Sequence, residues 1–100
     1  NIAGGIRVND PALDLAVVMA VLSSNIDTAL PGDTVFAGEV GLSGEIRAVS
    51  RIEQRIFEAE KLGFKRFFVP IGNKKGLTKK TQIEICYVAK IADICRNLFG

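Results

Sequence analysis

The chain of 100 residues contains no histidine at all. That absence excludes Ser-His-Asp and Cys-His catalysis and the usual zinc hydrolase sites. Any nucleophile here would need a lysine as its base. Cysteine is scarce too. Cys86 and Cys95 stand in apolar surroundings and form no C-x-x-C pair, so they offer neither a zinc signature nor a disulfide framework and read as buried free thiols. No apolar run approaches the ~18 residues that span a bilayer, and no signal peptide appears, which leads us to expect a cytoplasmic protein with no membrane partner. Aromatics are sparse around the basic segment described below, which argues against stacking on single-stranded bases.

What is present suffices for a core. Hydrophobic residues make up 48% and charged residues 24%, the balance of one small folded domain, taken as 1–100. The chain begins at Asn1 without an initiator Met, so we expect a fragment of a longer protein, lacking the first strands of its domain. The formal net charge of +2 conceals a strong asymmetry. Residues 1–43 carry one Arg against five acids, residues 44–80 carry ten Lys or Arg against four Glu, and the last twenty residues balance. Clustering of this kind bears on partners more than the total does.

Periodicity predicts strands alternating with helices, hence an α/β domain of two layers, α+β in its packing. Asn1 to Val8 reads as a strand with Gly4-Gly5 as a bulge. Asp10 as N-cap and Pro11 at the first helical position open a helix to about Ser24, apolar all round and therefore expected to be buried. Ala12, Ala16, Ala20 and Ser23 form a stripe of small residues along it. TVFAGEV and EIRAV, around GLSG, suggest a hairpin. Ser50 and Glu53 form a capping-box pattern before a helix with Ile52, Ile56, Ala59 and Leu62 on its core face, ended by Gly63. RFFVP follows as a buried strand and GNKKGLTKK as a loop. IEICYV is then a strand, and a final helix places Ile91, Ile94, Cys95 and Leu98 on one face.

Two glycine-bearing loops invite a nucleotide reading, but neither fits G-x-x-x-x-G-K-[ST], so no cofactor is expected in this domain. Arg47, Arg51 and Arg55 step by four, and Lys61, Lys65, Arg66, Lys74, Lys75, Lys79 and Lys80 extend the charge. A solvated surface is the bland reading; clustered cations are also what phosphate-backbone binding requires.

Taken together, NDPALD and GEVGLSGEIRAVSRIEQRIFEAEKLGFKRFFVP resemble the Lon protease-like domain. In Lon peptidases the first run carries a serine nucleophile, and the helix after the hairpin of the second run carries the lysine that activates it. In that register the serine position is Ala12 and the lysine position is Arg55. Alanine has no nucleophilic atom, and arginine does not release its proton to act as a base. The resemblance therefore implies a degenerate dyad and a domain that is not an enzyme. NIAGGIRVNDPALDLAV, GEVGLSGEIRAVSRIEQRI and EAEKLGFKRFFVP are further similar to one branch, the C-terminal domain of the RadA (Sms) family. That likeness implies a hexameric RecA-like ATPase driving branch migration in DNA repair and recombination. Its ATP, Mg and Zn sites would lie in upstream domains, and this domain would serve as ring scaffold and surface for duplex or branched DNA. On that basis Arg47, Arg51, Arg55, Lys61, Lys65, Arg66, Lys74 and Lys75 are the candidate DNA-binding residues. Two rivals stand beside it: a structural ring module without DNA contact, and a residual Ser-Lys hydrolase using Ser43 or Ser50.

Overall fold

The computed structural model describes residues 10–100 and the backbone of two short strands, β1 (Ile2–Ala3) and β2 (Ile6–Arg7). Where one strand was expected over residues 1–8, β1 and β2 pair with each other antiparallel, Ile2 opposite Arg7 and Ala3 opposite Ile6. The bulge expected at Gly4-Gly5 lies outside the described residues.

The centre of the fold is a parallel sheet of three strands in the order β3 (Thr34–Phe36), β6 (Arg66–Pro70), β7 (Glu84–Val88). Strand β6 is the RFFVP segment, buried from Phe67 to Pro70. A continuous apolar run is what a central parallel strand, covered on both faces, demands. Successive side chains point to opposite faces. Phe67 and Val69 accordingly join one core with Ile52, Ile56 and Ala59 of helix α2 (Ile52–Lys61). Phe68 joins another with Leu15 and Met19 of α1 (Asp14–Asn25) and Ile94 of α3 (Ile91–Phe99). The α/β class holds, but α2 covers one face of the sheet and α1 and α3 the other, making three layers where two were expected. Phe36 stacks on Phe68 at 5.3 Å between ring centroids. In α3, Ile91, Ile94, Cys95 and Leu98 all turn to the second core, as their spacing predicted.

Several boundaries differ from the sequence reading, each for a local reason. Pro11–Leu13 is a 3-10 turn rather than the first turn of an α-helix, with the Asp10 carboxylate accepting the Ala12 amide at 3.0 Å. Helix α1 is not buried all round. Leu15 and Met19 are fully buried, while Val17 and Val21 are 60% and 53% exposed. An apolar helix at the margin of a small domain has too few neighbours to cover every side. Leu62, expected in the core, is 76% exposed because α2 ends at Lys61. The end itself is as predicted: Gly63 takes φ +92°, with Gly63 donating to Glu60 and Phe64 to Ala59, the paired bonds of a left-handed helix cap.

Of TVFAGEV, only Glu39–Val40 (β4) enters the hairpin, pairing with Ile46–Arg47 (β5); Thr34–Phe36 belongs to the main sheet. The chain turns at Ala37-Gly38, where Gly38 allows a close approach that a Cβ, 2.6 Å from Ile46 Cγ2, would block. The capping box at Ser50 and Glu53 does not form. Arg51 instead occupies the N-cap position in the left-handed region at φ 58°, without a side-chain cap. The Glu53 carboxylate is drawn away to the backbone of Thr78 and Lys79. Finally, Ile71–Gly76 is a 3-10 helix where a loop was expected.

Candidate nucleic-acid interface and the Ala12–Arg55 site

Ala12 and Arg55 lie on either side of one carboxylate. The Ala12 amide reaches Asp10 Oδ1 at 3.0 Å, and Arg55 Nη2 lies 3.2 Å from Asp10 Oδ2. Arg55 Nε also donates to the Ser50 carbonyl at 2.9 Å, so its guanidinium ties the start of α2 to the Pro11–Leu13 turn. The Ala12 amide, and after it the Arg55 guanidinium, hold the Asp10 carboxyl below its ordinary value despite a partial loss of solvent. Ala12 is buried, and its carbonyl accepts the Gly38 amide at 3.0 Å, while the Gly38 carbonyl accepts the Leu15 amide at 3.0 Å. Ala12 and Arg55, 43 positions apart in sequence, thus both contact Asp10, and their side chains are a methyl and a permanently charged guanidinium. The Ser43 amide donates to Glu45 Oε1 at 3.0 Å, and Ser50 stands in the turn before α2.

Beside this bridge opens a cavity of about 460 Å³, walled by Leu13, Val35, Leu62 and Phe64, with Arg51 and Arg55 at its polar end. It runs along β3, an outer strand of the three-stranded sheet.

The candidate basic residues divide into two groups. Arg47, Arg55 and Arg66 are occupied internally. Arg47 pairs with Glu45 at 2.9 Å, and Arg55 with Asp10. Arg66 donates to Cys86 Sγ at 3.4 Å and to Asn97, and lies over the Phe68 ring at 4.9 Å. Its work is to join β6 to α3, on the sheet face opposite α2. Arg51, Lys61, Lys65, Lys74 and Lys75 have no acidic partner within 4.0 Å among the described residues, and all are exposed. Lys61 lies over the Phe57 ring, itself exposed, and Lys74 over Tyr87.

Asn73 explains how part of this second group is gathered. Its side chain accepts from the Val49 amide at 3.0 Å and donates to the Val49 carbonyl at 2.9 Å. That doubled bond fastens the 3-10 helix carrying Lys74 and Lys75 to the segment leading into Arg51, and Arg51 and Asn73 line one shallow cleft. Lys79 and Lys80, counted in the basic run but not among the candidate residues, continue the surface along α2 beside Phe57 and Leu77. Asn73 carries no spacing signal in the sequence, and its role depends wholly on the fold. Cys86 and Cys95 are free and half-buried.

No helix among the described residues is long and apolar enough to cross a membrane. Among the same residues, no group of three or more His, Cys, Asp or Glu is placed to hold a metal ion.

This small α/β domain belongs to a recognised family: residues 1–73 match the model described as subunit ChlI of Mg-chelatase. More particularly, the chain is homologous to a segment of DNA repair protein RadA. It is 50% identical to RadA of Bacillus subtilis (strain 168) over 99 residues, which is 99% of this chain and 22% of that protein. RadA of Streptococcus pneumoniae (strain ATCC BAA-255 / R6) is 44% identical over 98 residues, covering 98% of this chain and 23% of that protein. RadA of Brucella abortus (strain 2308) is 47% identical over 98 residues, again 98% of this chain and 21% of the relative. The chain therefore spans little more than a fifth of these relatives. The likeness to RadA read from the sequence phrases extends over nearly the whole chain.

Proposed function

We propose that this chain is a non-catalytic, Lon protease-like scaffold and DNA-contacting domain of a hexameric RecA-like ATPase, working in the cytoplasm in DNA repair and recombination-associated branch migration. Any ATP, Mg and Zn sites belong to other domains of such a protein. The observation that carries the reading is the array of exposed cations without acid partners: Arg51, Lys74 and Lys75, gathered by Asn73, with Lys79 and Lys80 beyond them. Homology to DNA repair proteins makes the phosphate backbone of duplex or branched DNA the natural counterpart. The identities of Ala12 and Arg55 support a reading without peptidase chemistry, because alanine offers no nucleophile and arginine no proton acceptor.

A ring-assembly domain without DNA contact is the second reading. It is favoured by the exposed apolar stripe of Leu13 in the 3-10 turn and Val17 and Val21 on α1, and by the apolar cavity along β3.

The deciding experiment is binding of labelled duplex DNA across a salt series, with Lys74/Lys75→Ala and Arg47/Arg66→Ala variants. The expected result is that the log–log salt slope falls by roughly one per contacting residue in the lysine variant and stays unchanged in the arginine variant. Equal slopes for all three proteins would leave the ring-assembly reading standing.

A further inference from the structure

The crossover from β6 to β7 contains no α-helix. After the 3-10 helix Ile71–Gly76 the backbone runs through residues 77–83 without regular structure, and its amides need partners from elsewhere. Four of them find two carboxylates on α2. Glu53 Oε2 accepts from Thr78 at 3.3 Å and from Lys79 at 3.4 Å. Glu60 Oε2 accepts from Gln82 and, at 3.2 Å, from Ile83. The two glutamates are seven residues apart, two turns along one face of the helix. Leu77 and Ile83 pack into the α2 core at the two ends of this stretch, and Lys79 and Lys80 stand exposed between them.

We propose that Glu53 and Glu60 are positioning residues that present the lysine segment to phosphate, so that their amide-accepting oxygens strengthen binding to DNA. The proposal rests on the DNA-contacting reading above. Charge alone gives the opposite sign, because a carboxylate beside the phosphate backbone repels it. What the carboxylates add is order: a segment already held does not have to be immobilised on association.

The substitution series separates the two effects. Glutamine keeps a carbonyl oxygen to accept the amides and loses the charge, whereas alanine loses both. In the intact protein, Glu53→Gln/Glu60→Gln should bind labelled duplex DNA at least as tightly as the unaltered protein. Glu53→Ala/Glu60→Ala should bind about tenfold more weakly than the glutamine variant. Hydrogen exchange at Thr78, Lys79, Gln82 and Ile83 should be slow in the unaltered and glutamine proteins and fast in the alanine protein. The single variants Glu53→Ala and Glu60→Ala serve if the double variant fails to fold. Equal DNA affinity of the alanine and glutamine variants overturns the proposal, since electrostatics would then be sufficient; so does fast exchange of the four amides in the unaltered protein. Absence of DNA binding by the unaltered protein, with the amides still protected, removes the DNA reading and the positioning role with it, leaving only a structural tie.

Discussion

Asp10 accepts from two directions at once: one carboxylate oxygen takes the Ala12 amide at 3.0 Å, and the other faces the Arg55 guanidinium at 3.2 Å. Residues 45 positions apart are thereby linked. The link is an ion pair with a long, partly shielded arginine. The arginine serves the fold, bracing the Pro11–Leu13 turn against the start of α2 through Asp10 and the Ser50 carbonyl.

The first prediction concerns acid. Asp10, Glu45 and Asp93 all have carboxyls held below their ordinary values, chiefly by backbone amides and then by Arg55, Arg47 and Arg96. A group depressed in the folded state contributes its full stability above the unfolded value, about 3.9 for aspartate, and loses that contribution as pH falls through the lower folded value. Stability should therefore decline below about pH 4. Asp10→Asn should flatten that decline and lower stability at neutral pH, as read by urea denaturation across a pH series. A decline as steep in Asp10→Asn as in the unaltered protein would show that Asp10 has no part in it.

The Asp10–Arg55 link should also appear as coupling. In a double-mutant cycle, Asp10→Ala and Arg55→Ala together should destabilise by less than the sum of the single effects, because each removes the same pair. Strict additivity would mean that the pair contributes nothing to folding.

Helix α1 offers a one-sided test. Leu15→Ala or Met19→Ala should cost about 2–5 kcal/mol, the range for emptying a close-packed site. Val17→Gln and Val21→Gln should each stay within about 0.5 kcal/mol in the isolated chain, since both side chains already meet water. If the valine changes weaken self-association while leaving unfolding midpoints intact, the stripe is a subunit contact.

Gly38→Ala should destabilise by about 1–3 kcal/mol. The added methyl would meet Ile46 Cγ2 at 2.6 Å, and Ile46 is itself buried, so the hairpin must shift. Thermal unfolding would show this; an unchanged midpoint would mean that the β4–β5 pair moves freely.

Arg51→Gly should hold or raise stability, by roughly 0.5–1 kcal/mol, because a residue with a Cβ at φ 58° is strained and glycine is not. If DNA affinity falls in the same variant, a phosphate contact has been separated from any effect on folding.

Much of the architecture could be read along the chain because it rests on local patterns. The continuous apolar run in RFFVP, the spacing of Ile52, Ile56 and Ala59, and the positive φ that Gly63 supplies each specify an element with little help from elsewhere. The absence of histidine likewise follows from residue identity alone. Tertiary structure decided the rest, wherever a polar group had a choice of partner. Glu53 matches a capping box in sequence, yet its carboxylate serves the backbone of a segment 25 residues away. Arg66 and Lys74 look alike in a basic run, but the two faces of the sheet send one to α3 and leave the other exposed over Tyr87. Helix α1 looks buried because its composition is apolar, whereas burial depends on how many neighbours reach it. Spacing records which side chains share a face; which hydrogen-bonding partner satisfies a carboxylate, and which cations remain without one, are settled only when distant segments meet.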